Sequence, residues 1–388
     1  MNDAYLPLSN EDGAITFLVG ENGSGKSSEL RRIALHFSDQ GSTVVAISGS
    51  VFDRFPSKHN SRYHRLSPSK GRHYVTNAFK ATLLGQGVGE EQRNSRLLAR
   101  VLSYAGFLPE FAYDIEVGRS WTPDFAQSAL ARLDEINEID RMLLKTVIDR
   151  VASRRNHRHI NILDLGSYGY SESSRGLQAL LRHESLLRRA KILSRVILQL
   201  AKDNRFFELS EASSGELTLL AIYAFLAPRM TEGIVIVIDE PENSLHPRWQ
   251  SEYCKQLFDL FHFYRPKVFI ASHSPIIVSG AEAHQIPSSI IVLPRGRTAN
   301  RDIHSIDGIL MEAFGVLAPA SHYLSELVAS MLNDLMLRKS TLDDVRTELL
   351  RLKDLSYERK QQEFLSQALE LASDVAEESL KAGGTSAA

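Results

Sequence analysis

Five short stretches of the chain are almost wholly apolar: "AITFLVG" (14–20), "STVVAIS" (42–48), "IVIVIDE" (234–240), "VFIASH" (268–273) and "SIIVLP" (289–294). Runs of that length, bounded by glycine, proline or polar clusters, predict strands. Between the first two, "GSGKSSELRRIALHF" (23–37) carries the helical spacing of apolar positions. From Glu90 to Asn204 the pattern is mostly helical, as in "NSRLLARVLSYAGF", "LDEINEIDRMLLKTVIDRV" and "LQALLRHESLLRRAKILSRVILQLAK". Helical spacing returns after Arg301 and continues to the end. Strands alternating with helices on both sides of a helical middle predict an α/β core that carries a helical insertion. The expected divisions are 1–85 and 207–300 for the two parts of the core, 86–206 for a helical lobe and 301–388 for a helical C-terminal extension. There is no internal repeat, and only the last seven residues, "AGGTSAA", read as a disordered end.

Composition narrows the class. A chain of 388 residues implies two or three packed units, or one core with large insertions. With 43% hydrophobic and 24% charged residues, it has the means for an ordinary globular core. A formal net charge of -2 excludes a uniformly basic nucleic-acid binder and leaves room for a local basic patch. The single cysteine, Cys254, excludes an internal disulfide framework and is compatible with a reducing cytosol. The opening "MNDAYLPLSNEDG" has neither a basic stretch nor an apolar one, so no signal peptide is expected. The longest aliphatic run, Ile234 to Ile238, is far too short to span a bilayer. The expectation is a soluble, cytoplasmic protein with no membrane segment.

The first stretch that carries chemistry is Gly20-Glu-Asn-Gly-Ser-Gly-Lys-Ser27, which follows an apolar strand and opens a helix. That context is what a phosphate-binding loop requires. Gly20, Gly23 and Gly25, with Asn22 and Ser24, let the backbone wrap phosphate groups, and the helix N-terminus attracts their charge. Lys26 then reaches the β- and γ-phosphates, the Ser27 hydroxyl is the Mg²⁺ ligand, and Ser28 lies in the same first turn. The second is "GIVIVIDEPENSLHP" (233–247), where an aliphatic strand ends on Asp239 and Glu240. Asp239 suits a contact to Mg²⁺, and Glu240 suits polarisation of an attacking water. The third is His273, just past another apolar strand. A lone histidine is more often structural, but a place beside the phosphates favours a functional role. Lastly, Ser213-Ser214-Gly215-Glu216 opens an apolar helix with more small polar residues than one cap needs. Bare N–H groups at such an end suit an anion.

This order of motifs resembles the ABC-type ATPases: phosphate loop, signature loop opening a helix, strand with Asp-Glu, then a strand with a histidine. "SSGE" and "DEPENSLHP" look like the branch with SMC-like, RecF-like and OLD-like members, and similar short ATPases in bacterial anti-phage systems are paired with a nuclease or another toxic effector. The resemblance covers roughly residues 14–35 and 207–280. It implies an α/β P-loop ATPase core of the ABC type, with ATP and Mg²⁺ as cofactors. It also implies a head-to-tail homodimer, in which Ser213 and Gly215 contact the γ-phosphate of ATP on the other subunit's loop. Glu240 and His273 are then the catalytic pair, His273 sensing the γ-phosphate. An effector protein is the implied partner. Direct action on DNA in repair or recombination stays open as an alternative. A transporter subunit would carry a glutamine loop and a coupling surface, and neither stands out. Ala212 replaces the leucine often found there, neither Gln86 nor Gln92 sits convincingly as a glutamine loop, and Tyr5 reads more readily as a surface tyrosine than as the aromatic group that stacks on adenine.

Two further stretches bear on partners. "SKHNSRYHRLSPSKGRH" (57–73) holds Lys58, Arg62, Arg65, Lys70 and Arg72 around Tyr63 with no acidic residue, which suits a nucleic-acid backbone as well as a solvated loop or an acidic protein. In the extension, one apolar stripe runs from Tyr323 to Met336 and a second from Phe364 to Ala376. Such faces require burial, on the chain's own core or on a partner.

Overall fold

The core strands alternate their side chains between two covered faces, so each reads as a continuous apolar run. Phe17 and Val19 point to one cluster of buried residues and Leu18 to the other, and Ile236 and Ile238 alternate with Val235 and Val237 in the same way. In the computed structural model, the described residues are 13–50, 53–67, 73–84, 90–153, 161–166, 171–203, 205–293, 297–298, 322–356 and 359–384.

In chain order, β1 (Ile15–Val19) leads into α1 (Lys26–Asp39), β2 (Val44–Ser48) and β3 (Tyr63–Leu66). The insertion follows: α2 (His73–Leu84), α3 (Glu90–Tyr104), β4 (Glu110–Glu116), α4 (Pro123–Ala131), α5 (Glu138–Ala152), β5 (Asn161–Asp164), α6 (Glu172–Arg189), β6 (Arg195–Lys202) and β7 (Arg205–Glu208). The chain returns to the core through α7 (Ser214–Leu226), β8 (Val235–Asp239), α8 (Pro247–Phe261), β9 (Lys267–Ala271), α9 (Pro275–Ala283), β10 (Ser288–Val292) and β11 (Arg297–Thr298). Three helices close it: α10 (His322–Met336), α11 (Leu342–Leu355) and α12 (Arg359–Gly384).

The main sheet has the order β11-β10-β1-β9-β8-β2-β3. Six of its strands are parallel, and β11 is an antiparallel edge. One face is covered by α1 through Leu30, Ile33, Ala34 and Phe37. The other face shares a single large cluster with the insertion and with α7, α8 and α9. The expected α/β core is present, with its insertion and its helical C-terminal region.

The insertion differs from the expectation of a purely helical lobe. It contains an antiparallel sheet of order β5-β4-β6-β7. The stretch "LQALLRHESLLRRAKILSRVILQLAK" is helical only to Arg189. Lys191 then takes a left-handed backbone (φ 59°), and Ile192 N–H closes the turn on Leu187 O at 2.9 Å. Beyond it Val196, Leu198 and Leu200 are buried alternately, a period of two that a helical reading had absorbed. In α5 and α6, Asp140 ties the helices together. Its carboxylate accepts from Arg182 Nη1 at 2.7 Å and pairs with His183 Nε2 at 2.8 Å.

The three C-terminal helices form their own cluster around Leu324, Val328, Leu335, Val345, Leu349, Leu352, Leu365, Ala368 and Ala372. Both stripes seen in the sequence are therefore spent largely within this unit, with α11 between them, rather than held for a partner. Among the described side chains of α12, Phe364 and Leu371 are the large apolar ones that stay exposed.

Candidate nucleotide-binding site

Strand order assembles the site. Because β9 lies between β1 and β8, the phosphate loop, the segment after β9 and the Asp-Glu turn after β8 leave one edge of the sheet side by side. Ala271 is in register with both Leu18 and Asp239, so Val19, Ser272 and Glu240 stand at the same level and Gly20 opens the loop one residue beyond. Ligands of open α/β sheets bind at this carboxyl edge.

The loop between β1 and α1 needs its glycines, for two different reasons. Gly20 has φ 146°, and a Cβ there would stand 2.5 Å from Leu293 O, so a side chain is excluded by contact. Gly23, exposed at the loop's crest beside Asn22, has φ 85° with nothing within 4 Å of a Cβ. Gly23 is therefore called for by its left-handed backbone and not by any close approach within the chain. Gly25 caps α1 in the left-handed region at φ 97°, and no side chain hydrogen-bonds to that helix end. The first N–H groups of α1 are therefore open to an anion. Lys26 is 6% exposed and folds back over the loop, donating to Gly20 O at 2.7 Å and Glu21 O at 2.9 Å. Burial lowers its pKa from the usual lysine value, while the charges of Glu240, Asp239 and Glu242 act to raise it. Ser28 accepts from Arg54 Nη1 at 3.0 Å on the outer side of the helix.

Asp239 ends β8, and its carboxyl is pushed up to about 6. Burial is the main cause, offset in part by a hydrogen bond with Ser27 and reinforced by the charges of Glu240, Asp53 and Glu242. Its Oδ1 is buried with no hydrogen-bond partner, as is Ser24 Oγ in the loop. Glu240 follows with a left-handed backbone at φ 51°, uncommon for a residue with a side chain and typical of functional turns. Asn243 Nδ2 donates to Glu240 Oε2 at 3.0 Å and fixes the carboxylate. Gly49, which the sequence reading did not single out, is required here. Its N–H donates to Asp239 O at 2.7 Å, and a Cβ would fall 2.0 Å from Glu240 O.

His273 stands past β9 with its side chain 47% exposed. Its Nδ1 is 2.9 Å from Glu242 Oε1, and its backbone N–H donates to the same oxygen at 2.7 Å. Glu242 raises its pKa above the ordinary histidine value, against a smaller lowering by burial. The structure thus brings Lys26, Ser27, Asp239, Glu240 and His273 to one place. Lysine at a phosphate loop, an uncapped helix N-terminus and two carboxylates at strand ends make a centre for phosphoryl transfer.

Residues 15–279 match the family AAA_21, described as "AAA domain, putative AbiEii toxin, Type IV TA system". The chain belongs to the AAA_21 family. A relative among characterised proteins is the Septu protein PtuA of Bacillus mycoides (strain KBAB4), 25% identical over 278 residues. That match takes in 68% of this chain and 34% of the relative, so the chain spans about a third of the relative's length. Two solved structures show a distant likeness. VirB4 of Thermoanaerobacter pseudethanolicus has a TM-score of 0.30 at 11% identity, covering 72% of this chain and 77% of that one. The Smc head domain of Pyrococcus furiosus, solved with an extended coiled coil and the C-terminal domain of ScpA, has a TM-score of 0.26 at 11% identity, covering 74% and 89%. At those scores neither carries weight, and the fold rests on the strand order itself.

For an AAA-domain ATPase, the residues present fit ATP with Mg²⁺. Asp239 offers a buried acceptor oxygen that lacks a partner and has the Ser27 hydroxyl beside it, a hard-oxygen pair suited to a divalent cation. Ser27 and Asp239 would hold the cation, and Lys26 with the loop N–H groups would hold phosphate.

The signature stretch is built differently. Ser213 caps α7 in a full capping box. Its Oγ accepts from Glu216 N at 3.3 Å, and Glu216 Oε2 accepts from Ser213 N at 2.8 Å. Lys202 Nζ donates to Glu216 Oε1 at 2.9 Å. Gly215 is explained by contact within the chain, since a Cβ would stand 2.7 Å from both Ser244 O and the Trp249 ring. The box leaves the Ser214 and Gly215 N–H groups unused. Among the described residues, no hydrogen bond or ion pair joins Ser213–Glu216 to the phosphate loop, Asp239 or Glu240.

The basic stretch is corrected in part. Tyr63 lies in β3 and is 6% exposed, so it cannot stack on a base. Arg65 pairs with Asp53 at 2.6 Å, Arg62 donates to Gly41 O, and His59 pairs with Asp39. Of the five basic residues in the stretch, Arg65 has its charge answered by an acid within the chain. Lys70, Arg72, Gln86 and Tyr5 lie outside the described residues, as does the side chain of Gln92. Among the described residues, no helix is long and apolar enough to cross a membrane.

Proposed function

We propose that this AAA-domain protein is a Mg²⁺-dependent ATP hydrolase whose sites are completed head-to-tail in a homodimer, and that dimer closure controls an effector protein in cytoplasmic defence against phage. The observation that carries the ATPase reading is the row of Lys26, Ser27, Asp239, Glu240 and His273 on three neighbouring strand ends. Lys26 exchanges its loop carbonyls for phosphate oxygens. Ser27 and Asp239 would hold Mg²⁺, which would supply neutralisation of phosphate charge. Glu240, steadied by Asn243, orients the attacking water and accepts its proton. His273 meets the γ-phosphate from the neighbouring strand.

The dimer reading rests on a separate observation, the N-terminus of α7, whose capping box leaves two N–H groups unused and which, among the described residues, makes no hydrogen bond or ion pair to its own chain's phosphate loop. Ser213 and Gly215 then serve the partner's nucleotide. The defence role rests on family membership, on similarity to the Septu protein PtuA and on the likeness of the motif set to short ATPases that accompany toxic effectors. Direct action on DNA finds less support, because Tyr63 is buried and Arg65 is paired.

The test is ATP hydrolysis by the full chain with and without Mg²⁺, alongside Lys26→Ala and Asp239→Asn. Hydrolysis that needs Mg²⁺ and falls about 10³-fold in both variants is expected. Wild-type rates in Lys26→Ala would reject the site. For the biological role, phage plating on cells carrying the chain with its neighbouring genes should drop, and Lys26→Ala should restore it.

A further inference from the structure

Glu242 is a carboxylate buried among core side chains, 6% exposed, three residues past Asp239. Burying a charged group is unfavourable unless it is matched. Here three donors converge on one oxygen. Ser272 Oγ–H donates to Oε1 at 2.9 Å, His273 N–H at 2.7 Å, and the His273 ring meets it through Nδ1 at 2.9 Å. The other oxygen, Oε2, is buried without a partner. What the carboxylate adds is its charge, and that charge faces the imidazole.

We infer that Glu242 is a positioning residue for hydrolysis: it fixes the ring of His273 with Nδ1 engaged and Nε2 left for the γ-phosphate. The inference rests on the ATPase reading above. Histidines that act at a reaction centre are commonly held through their second nitrogen by a carboxylate, which sets tautomer and orientation. Glu242 is itself braced. Ser272 Oγ accepts from Ser274 N at 2.9 Å, Ser274 Oγ donates to Gln250 Oε1 at 2.7 Å, and Gln250 Nε2 donates to Leu245 O at 3.0 Å. The relay runs from His273 to the first turn of α8, where Trp249 receives Gly215 of the signature helix. A ring held this way is placed before nucleotide arrives.

The decisive experiment compares steady-state ATP hydrolysis by the full-length wild type, Glu242→Gln, His273→Ala and the double variant. Glu242→Gln should lose about 10- to 100-fold in kcat with KM changed by less than about threefold. The double variant should be no slower than His273→Ala alone, because a residue that acts only through the ring has nothing left to position. Unchanged kcat in Glu242→Gln, or losses that multiply in the double variant, overturns the inference. Wild type that hydrolyses while Lys26→Ala does not secures the ATPase reading beforehand, and an inactive wild type sinks that reading and this inference together. Should Glu242→Gln fail to fold, ¹⁵N spectra of histidine-labelled wild type decide. The resonance missing in His273→Ala should report a hydrogen-bonded proton on Nδ1, and an unprotonated Nδ1 overturns the proposal.

Discussion

Two helices in this protein, α1 and α7, have glycine and serine around their first turn, and they begin in opposite ways. The N-terminus of α1 follows a left-handed glycine and has no side-chain cap. The N-terminus of α7 is closed by Ser213 and Glu216, with Lys202 holding the glutamate from the insertion's sheet. One end keeps its N–H groups for an external anion. The other already holds a carboxylate of its own and keeps two N–H groups to spare. Similar composition thus gives an open helix end in one place and a braced one in the other. The difference lies in whether an acid stands three residues into the helix.

Removing the cation at the open end should have the largest effect. Lys26→Ala is expected to cut hydrolysis about 10³-fold, whereas Lys202→Ala at the closed end should leave nucleotide binding unchanged, as read by titration with a fluorescent ATP analogue. Glu240→Gln comes next, slowing single-turnover hydrolysis at least about 10²-fold while ATP still binds. A single-turnover rate within a few-fold of wild type would remove Glu240 from catalysis.

A smaller effect separates packing from chemistry at α7. Gly215→Val should destabilise the chain by about 1–3 kcal/mol in urea unfolding without nucleotide, because its side chain would collide with Trp249 and Ser244 O. Full stability in that variant would mean that Gly215 is needed only at the interface. Smallest is Glu216→Gln, about 1 kcal/mol. Burial, the largest single influence, pushes the Glu216 carboxyl up, but Lys202 and Ser213 together outweigh it and hold the carboxyl below the usual glutamate value. A depressed folded pKa means that the stabilisation is full above the unfolded value of about 4.3 and is lost as pH falls through the folded one. Thermal melts from pH 7 to pH 3 should therefore show a shallower acid decline in Glu216→Gln than in wild type.

What the sequence disclosed depended on how local each feature is. The phosphate loop and the strand ending in Asp239-Glu240 are legible because their chemistry needs adjacent residues after an apolar run. The capping box was equally local, as Ser-x-x-Glu at Ser213–Glu216, yet the small residues drew the reading towards bare N–H groups. β6 hid behind the helical spacing of α6, and β3 behind the charges around Tyr63. Gly49 and Glu242 were illegible for another reason: a glycine after a strand and an acid in a turn are common, and only strand order brings them against Glu240 and His273. The C-terminal stripes revealed helices, but their mutual packing through α11 depends on three segments meeting. Truncation before Tyr357 should thus unfold this unit and leave ATP binding in place.

If the open end of one chain and the braced end of another make one site, mixing two variants should restore what each has lost. Ser213→Arg should bind ATP normally yet fail to hydrolyse it, and Lys26→Ala should fail alone. Combined, they form dimers with one site built from two intact halves, so hydrolysis should return. Hydrolysis by Ser213→Arg alone at the wild-type rate would contradict the account.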